Sequence, residues 1–215
     1  MYVPRCDGNV SAWNATTGAD VWQFQTAAAG APADVDSSPV VYDGKVYFSA
    51  SNWNIYAVDA LTGQKVWDAA HAPNWDGTFT DDGIASPVIA DGILYIAGGN
   101  GLYSFDANTG AQLHHFIGSS GLESVPSVSN GIVYIGTSAD LDNVFYALDA
   151  KTLDPVWLNV TPDNAKMYSS PAVANGVVYV GTSGQGLFAV GTNGGTVVAG
   201  QSKIGVFQNG AWILD

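Results

Sequence analysis

Short apolar runs recur along the chain at a nearly fixed spacing, with polar turn residues between them. Four stretches share one pattern: SSPVVYDGKVYFSA from residue 37, ASPVIADGILYIAG from 85, SVPSVSNGIVYIGT from 124 and SSPAVANGVVYVGT from 169. Each holds two apolar runs joined by Asp-Gly or Asn-Gly, a pair that tolerates positive φ at both positions and so predicts a two-residue hairpin. The proline sits at a strand start, where its missing N–H does no harm. A second hairpin follows each of these: AVDALTGQKVW from residue 57, SFDANTGAQLH from 104, ALDAKTLDPVW from 147 and AVGTNGGTVVA from 189, with a further copy, AWNATTGADVW, from 12. The starts lie 45, 47, 43 and 42 residues apart. No segment keeps a helical period, which excludes an α/β fold. Four short antiparallel strands per unit predict an all-β protein, a β-propeller of four-stranded blades.

The recurrent tryptophans Trp22, Trp67 and Trp157 have a mechanical reading. Each begins the outer strand of one blade, where its indole can lie against the next. Burying an indole removes roughly 150–250 Å² from water, about 4–6 kcal/mol before entropy. Small residues at Ala12, Ala57 and Ala147 and turn glycines at Gly18, Gly63 and Gly110 make room. The pattern Ala-x-Asp-x-x-Thr-Gly-x-x-x-Trp resembles the tryptophan-docking motif of the PQQ-like β-propeller repeat, known from quinoprotein dehydrogenases and from the outer-membrane assembly lipoprotein BamB. The second unit matches throughout, with Ala57, Asp59, Thr62, Gly63 and Trp67. The first has Asn14 for Asp. Asp106 and Gly110 keep the motif in the third unit, where His114 replaces Trp. The fourth keeps Asp149 and has Leu153 for Gly, and the fifth has Gly191, Gly194 and Ala199 at the Asp, Thr and Trp positions. This drift predicts that docking is weakest toward the C-terminal end.

The first unit lacks its leading strand, while the chain ends in KIGVFQNGAWILD, which aligns with SSPVVYDGKVYFS. Ile204, Val206 and Phe207 fall on the first strand of that hairpin, and Trp212, Ile213 and Leu214 on the second. Pairing this tail with Tyr2 and Val3 closes a five-bladed ring and removes exposed edges. The blades are then 1–30 with 203–215, 37–70, 84–117, 123–160 and 168–200. One strand is surplus, because Tyr2-Val3 and Trp212-Leu214 both read as the second strand of the first blade. Two alternatives use it: closure between molecules, giving rings or filaments, or an open arc from a ring of seven or eight blades. The tail is also similar to a segment of archaeal cell-surface propeller proteins, which implies a place outside the cell.

Composition supports a β protein: 47% hydrophobic, 12% charged, with 26 glycines among 215 residues. Nineteen acidic against six basic residues give a net charge of −13, which repels nucleic acid and anionic membranes. The single cysteine, Cys6, rules out an internal disulfide. No run is long and apolar enough for a transmembrane helix, and the first ten residues lack the layout of a signal peptide, so an export signal is expected outside this sequence.

Candidate chemistry is sparse. Resemblance to quinoproteins implies PQQ with calcium, a catalytic Asp and, in the alcohol-oxidising branch, a vicinal disulfide. One cysteine and no position matching the catalytic carboxylate argue against that activity. His114 and His115 alternate across a strand, and His71 is distant, so they predict packing and exposure rather than a metal site. Asp140, Asp142 and Asn143, and Asp76, Asp81 and Asp82, cluster in loops without the spacing of a calcium-binding loop. The sequence therefore predicts no cofactor, with calcium as a weak alternative. Sequons at Asn9, Asn14 and Asn159 permit glycosylation. Aromatic, acidic loops with Trp53, Trp75, Phe79 and Tyr168 suit a protein or glycan partner. The expected function is a non-catalytic, extracellular or cell-surface module for structure or protein interaction, able to self-assemble through its terminal strands. A BamB-like periplasmic scaffold is the alternative, and a PQQ- or calcium-dependent enzyme comes third.

Overall fold

The structure, a computed structural model, describes residues 1–26, 33–70, 85–99, 101–119, 121–122, 124–137, 144–160, 167, 169–183, 186–191, 206–208 and 211–213. These residues form antiparallel sheets in the order of the sequence repeats. The first sheet has three strands, β1 (Tyr2–Pro4), β2 (Asn9–Trp13) and β3 (Asp20–Gln25). The second has four: β4 (Val40–Tyr42), β5 (Lys45–Ser49), β6 (Asn54–Asp59) and β7 (Lys65–Ala70). The third comprises β8 (Val88–Ala90), β9 (Ile93–Gly98), β10 (Gly101–Asp106) and β11 (Gln112–Ile117), and the fourth β12 (Ser127–Ser129), β13 (Ile132–Gly136), β14 (Val144–Asp149) and β15 (Pro155–Val160). The fifth has three described strands, β16 (Ala172–Ala174), β17 (Val177–Thr182) and β18 (Gly186–Gly191), and a separate hairpin follows, β19 (Val206–Gln208) with β20 (Ala211–Ile213).

Within each sheet the chain meanders outward. Every hairpin between the first two strands turns on two positive-φ residues, Asp43-Gly44, Asp91-Gly92, Asn130-Gly131 and Asn175-Gly176. That backbone twist matches the right-handed twist of the flanking strands. A serine clips the start of the first strand to the end of the second: Ser37 Oγ donates to the Ser49 carbonyl and accepts from its N–H, both at 2.9 Å. Ser169 does the same with Gly181, at 3.1 and 2.7 Å. The short first strands β4, β8, β12 and β16 are neighbours in series, which makes them the inner edge of the arc.

The core lies between consecutive sheets. Tyr47, Ile55, Ala57 and Trp67 of the second sheet pack on Leu94, Ile96, Tyr103 and Phe105 of the third. Likewise Val10, Trp22 and Phe24 of the first meet Val46, Phe48, Tyr56 and Val58 of the second. The face that looks toward the C-terminus is called the front of a sheet below, and the other its back.

Among the described residues no ladder joins the tail to the first sheet. Among the described ladders β19 and β20 pair only with each other, in the register Val206–Ile213, Phe207–Trp212 and Gln208–Ala211, and β1 pairs only with β2. β1 holds the second-strand position of the first sheet. Ile204 and Leu214 lie outside the described residues.

Candidate functional site

The repeated motif builds a docking turn at the outer end of each of the first four sheets. In the second unit Asp59 Oδ1 accepts from the Leu61 N–H at 3.0 Å, the Thr62 N–H at 2.8 Å and the Thr62 hydroxyl at 2.8 Å. Asp106 does the same for Asn108 and Thr109, and Asp149 for Lys151 and Thr152. Asn14 makes the two backbone bonds with its amide oxygen, to Thr16 at 2.9 Å and Thr17 at 3.0 Å. These contacts hold the carboxyls below the usual carboxylate range: at Asp59 chiefly through the Thr62 hydroxyl, at Asp106 through the Thr109 N–H and at Asp149 through the Lys151 N–H.

Each turn closes on a left-handed residue at the glycine position: Gly18, Gly63, Gly110 and, in the fourth unit, Leu153 at φ 60°. A glycine there also admits the indole of the preceding sheet. A Cβ on Gly63 would stand 2.7 Å from the Trp22 ring, and one on Gly110 2.7 Å from Trp67. Trp22 Nε1 donates to the Ala60 carbonyl and Trp67 Nε1 to that of Ala107, both at 3.0 Å. A tyrosine on the second strand shares the same acceptor: Tyr2 donates to Ala60, Tyr47 to Ala107 and Tyr95 to Ala150. Burial between sheets pushes the Tyr47 and Tyr95 hydroxyls up to about 12. One carbonyl thus accepts both polar tips of the neighbour's aromatic pair, leaving neither buried donor unsatisfied.

A bulge aims the tryptophan. The third-to-fourth strand ladder shifts register in four sheets, between Ala12 and Trp13, Ala57 and Val58, Ser104 and Phe105, and Ala147 and Leu148. The extra residue, Val21, Val66, Leu113 or Val156, is exposed, and in the first two sheets the next residue, Trp22 or Trp67, turns toward the following sheet. Strict alternation along the strand gives no sign of this. The tyrosine role, by contrast, is signalled by a Tyr at the same place in VYF, LYI, VYI and VYV.

The other candidates fall into three groups. Trp53, in the loop between β5 and β6, is half-buried against the core between the second and third sheets. His114 and His115 are exposed, and His115 stacks on Tyr103. Trp157 packs against Tyr134 and Phe145. Asn9 sits on β2 with its amide donating to Asp7, and Asn14 is committed to its turn. His71, Trp75, Asp76, Phe79, Asp81, Asp82, Asp140, Asp142, Asn143, Tyr168, Gly194 and Ala199 lie outside the described residues, as do the side chains of Asn159, Val206, Phe207, Trp212 and Ile213. Among the described residues no group of three or more His, Cys, Asp or Glu is placed to hold a metal ion.

An open groove of about 520 Å³ runs between the first and second sheets, lined by Phe24, Gln25, Asn52, Asn54 and a Lys65–Asp68 ion pair at 2.8 Å. Asp68 raises the Lys65 ammonium above its ordinary value and keeps it charged. The lining also includes Thr26 and the Tyr56 ring, so amides, two aromatic rings and a paired charge face the groove.

Comparison with known proteins fits this architecture. A curated relative, the serine/threonine-protein kinase AfsK of Streptomyces griseus, is 30% identical over 164 residues, 70% of this chain and 18% of that protein. The quinohemoprotein alcohol dehydrogenase of Comamonas testosteroni is 30% identical over 138 residues, 57% of this chain and 19% of that protein. The solved structure of BamB from Moraxella catarrhalis superposes with a TM-score of 0.72 at 19% identity, covering 92% of this chain and 56% of that one. The chain thus spans under a fifth of both curated relatives and just over half of the solved chain. The family model described as Outer membrane protein assembly factor BamB matches residues 1–112 and again 51–203, and the chain belongs to that family of PQQ-like repeat β-propeller proteins.

Proposed function

We propose that this chain is a non-catalytic interaction scaffold that works outside the cytoplasm. The observation that carries the reading is where the repeated polar residues are spent. Asp59, Asp106 and Asp149 each commit an oxygen to the N–H groups of their own turn, and Trp22 and Trp67 bond a carbonyl of the next sheet. The motif that dominates the sequence is therefore joinery between sheets, and the fold by itself implies no reaction. What remains outward among the described residues includes a groove whose amides and charges suit a protein surface or glycan. The family's description as an assembly factor supports a place in the periplasm or at the cell surface.

Relationship to a quinohemoprotein dehydrogenase keeps an enzymatic reading in play, and one experiment separates the two. PQQ with calcium is titrated into the purified chain while absorbance is followed, and dye-linked oxidation of short alcohols is assayed on the same sample. A scaffold leaves the cofactor spectrum unchanged and reduces no dye. Saturable binding at micromolar PQQ, with turnover, overturns the scaffold reading.

A further inference from the structure

The groove between the first and second sheets has both walls within the chain, and every residue that lines it is among those described. Buried groups fix its floor. Tyr56, 3% exposed, donates its hydroxyl proton to the Thr26 carbonyl and accepts from the Asn52 amide nitrogen, both at 2.7 Å. Thr26, also buried, anchors the end of the first sheet: its N–H donates to the Gly8 carbonyl at 2.9 Å, and its hydroxyl lies 2.8 Å from the Ala33 carbonyl. Asn52 Oδ1 accepts from the Asn54 N–H at 3.1 Å, in a turn where Trp53 takes φ 62°. The floor thus spends its polar groups on itself and holds the two asparagines in place.

The amides along the walls are spent differently. Gln25 on the first sheet and Asn54 on the second bond no described group through their side chains, and Asn52 keeps its second amide hydrogen. A primary amide sets a donor beside an acceptor, which matches two neighbouring hydroxyls, each able to give and to take. Lys65 and Asp68 neutralise each other, so the groove adds no net charge to a chain of −13. A phosphate or nucleic acid ligand requires unpaired cations, and this lining has none. A protein partner anchors through an apolar side chain in a pocket, yet here Tyr56 is buried with its hydroxyl committed and Phe24 packs on Phe48 and Tyr56. The volume, about 520 Å³, suits a small ligand.

We infer that this groove binds a neutral saccharide, with the Gln25, Asn52 and Asn54 amides of the two sheets bonding its ring hydroxyls. The Lys65–Asp68 pair offers one more donor and one more acceptor without selecting a charge. The inference rests on the scaffold reading and deepens it by naming what is held: the sugar is bound and left unaltered.

The test is calorimetric titration of the purified chain with short uncharged oligomers of glucose, mannose, galactose and N-acetylglucosamine, beside oligogalacturonate and an array of random peptides. At least one neutral oligomer saturates below about 1 mM. Its affinity changes less than about twofold between low and high salt, because no net charge is engaged. Gln25→Ala and Asn54→Ala each weaken it about three- to tenfold, while Lys151→Ala, at an exposed position on the fourth sheet's docking turn, leaves it unchanged. Circular dichroism verifies the fold of each variant. Failure of every neutral oligomer, binding of oligogalacturonate alone, or affinity that both groove variants leave untouched overturns the inference. So does peptide capture that these variants abolish while no sugar binds, which assigns the groove to a protein partner. Chromatography of the bound sugar keeps the two readings separate: sugar recovered cleaved or oxidised overturns the scaffold and leaves the saccharide in its groove.

Discussion

The second sheet meets the third through Trp67 on Gly110, while the third meets the fourth through neither residue. At that later interface His114 stands at the tryptophan position and is exposed, and Leu153 stands at the glycine position. Leu153 is 2% exposed and packs with Tyr95, Leu102 and Ala150. In one arrangement the giving sheet supplies an indole and the receiving sheet supplies space. In the other, the receiving sheet fills the space itself and the indole is gone. Tyr95 still donates to Ala150, at 2.6 Å, so the polar half of the junction survives the exchange. Two departures that look like independent decay in the sequence fall on the two sides of one interface.

The sharpest way to break this contrast is Trp67→Ala. Removing a nearly buried indole and its bond should cost about 3–5 kcal/mol in urea unfolding, whereas His114→Ala, at an exposed position, should cost under about 0.5 kcal/mol. Equal losses would mean that the two interfaces do not differ as described. Gly110→Val comes next, at about 2–4 kcal/mol, because its side chain meets both a left-handed backbone and the Trp67 ring. Gly18→Val meets only the backbone term, so it should cost about half as much or less.

The comparison can also be sharpened by rebuilding. His114→Trp alone finds its slot filled by Leu153, and Leu153→Gly alone leaves a void. Together they should recover the docked arrangement, with a favourable coupling on the order of 1–3 kcal/mol in a double-mutant cycle. Strict additivity would show that the two positions are not halves of one contact. The smallest effect concerns acid. The folded carboxyls of Asp59, Asp106 and Asp149 lie below their ordinary value of 3.8, so what they contribute is present above that value and lost as pH falls through the lower folded values. Changing all three to Asn, the residue already working at position 14, should leave the fold intact at pH 7. It should also reduce the drop in urea midpoint between pH 5 and pH 2. An unchanged drop assigns the acid sensitivity elsewhere.

Much of this was legible without coordinates. The Asp-Gly and Asn-Gly pairs, the period near 45 residues and the Asp-x-x-Thr-Gly turns read directly as hairpins and blades, because each is a local backbone requirement. The bulge before each tryptophan was not legible, since an apolar residue in an alternating strand looks the same whether it faces a core or escapes it. That His114 and Leu153 fall at one interface was hidden for another reason: the two belong to different repeats, and aligning repeats compares like positions rather than facing ones. The tail's likeness to a leading hairpin reads as two short strands, and β19 and β20 pair as such, while what the hairpin sits beside is a matter of contacts that a local pattern does not carry.

The indole bonds span only 38 residues in one case and 40 in the other, from Trp22 to Ala60 and from Trp67 to Ala107. Nothing in such a junction waits for the far end of the polypeptide. A chain emerging from a ribosome or a secretion pore can seat each sheet on its predecessor as soon as one further turn has appeared. The order of synthesis then becomes the order of assembly, and the exposed front of the most recent sheet is always the site at which the next is received.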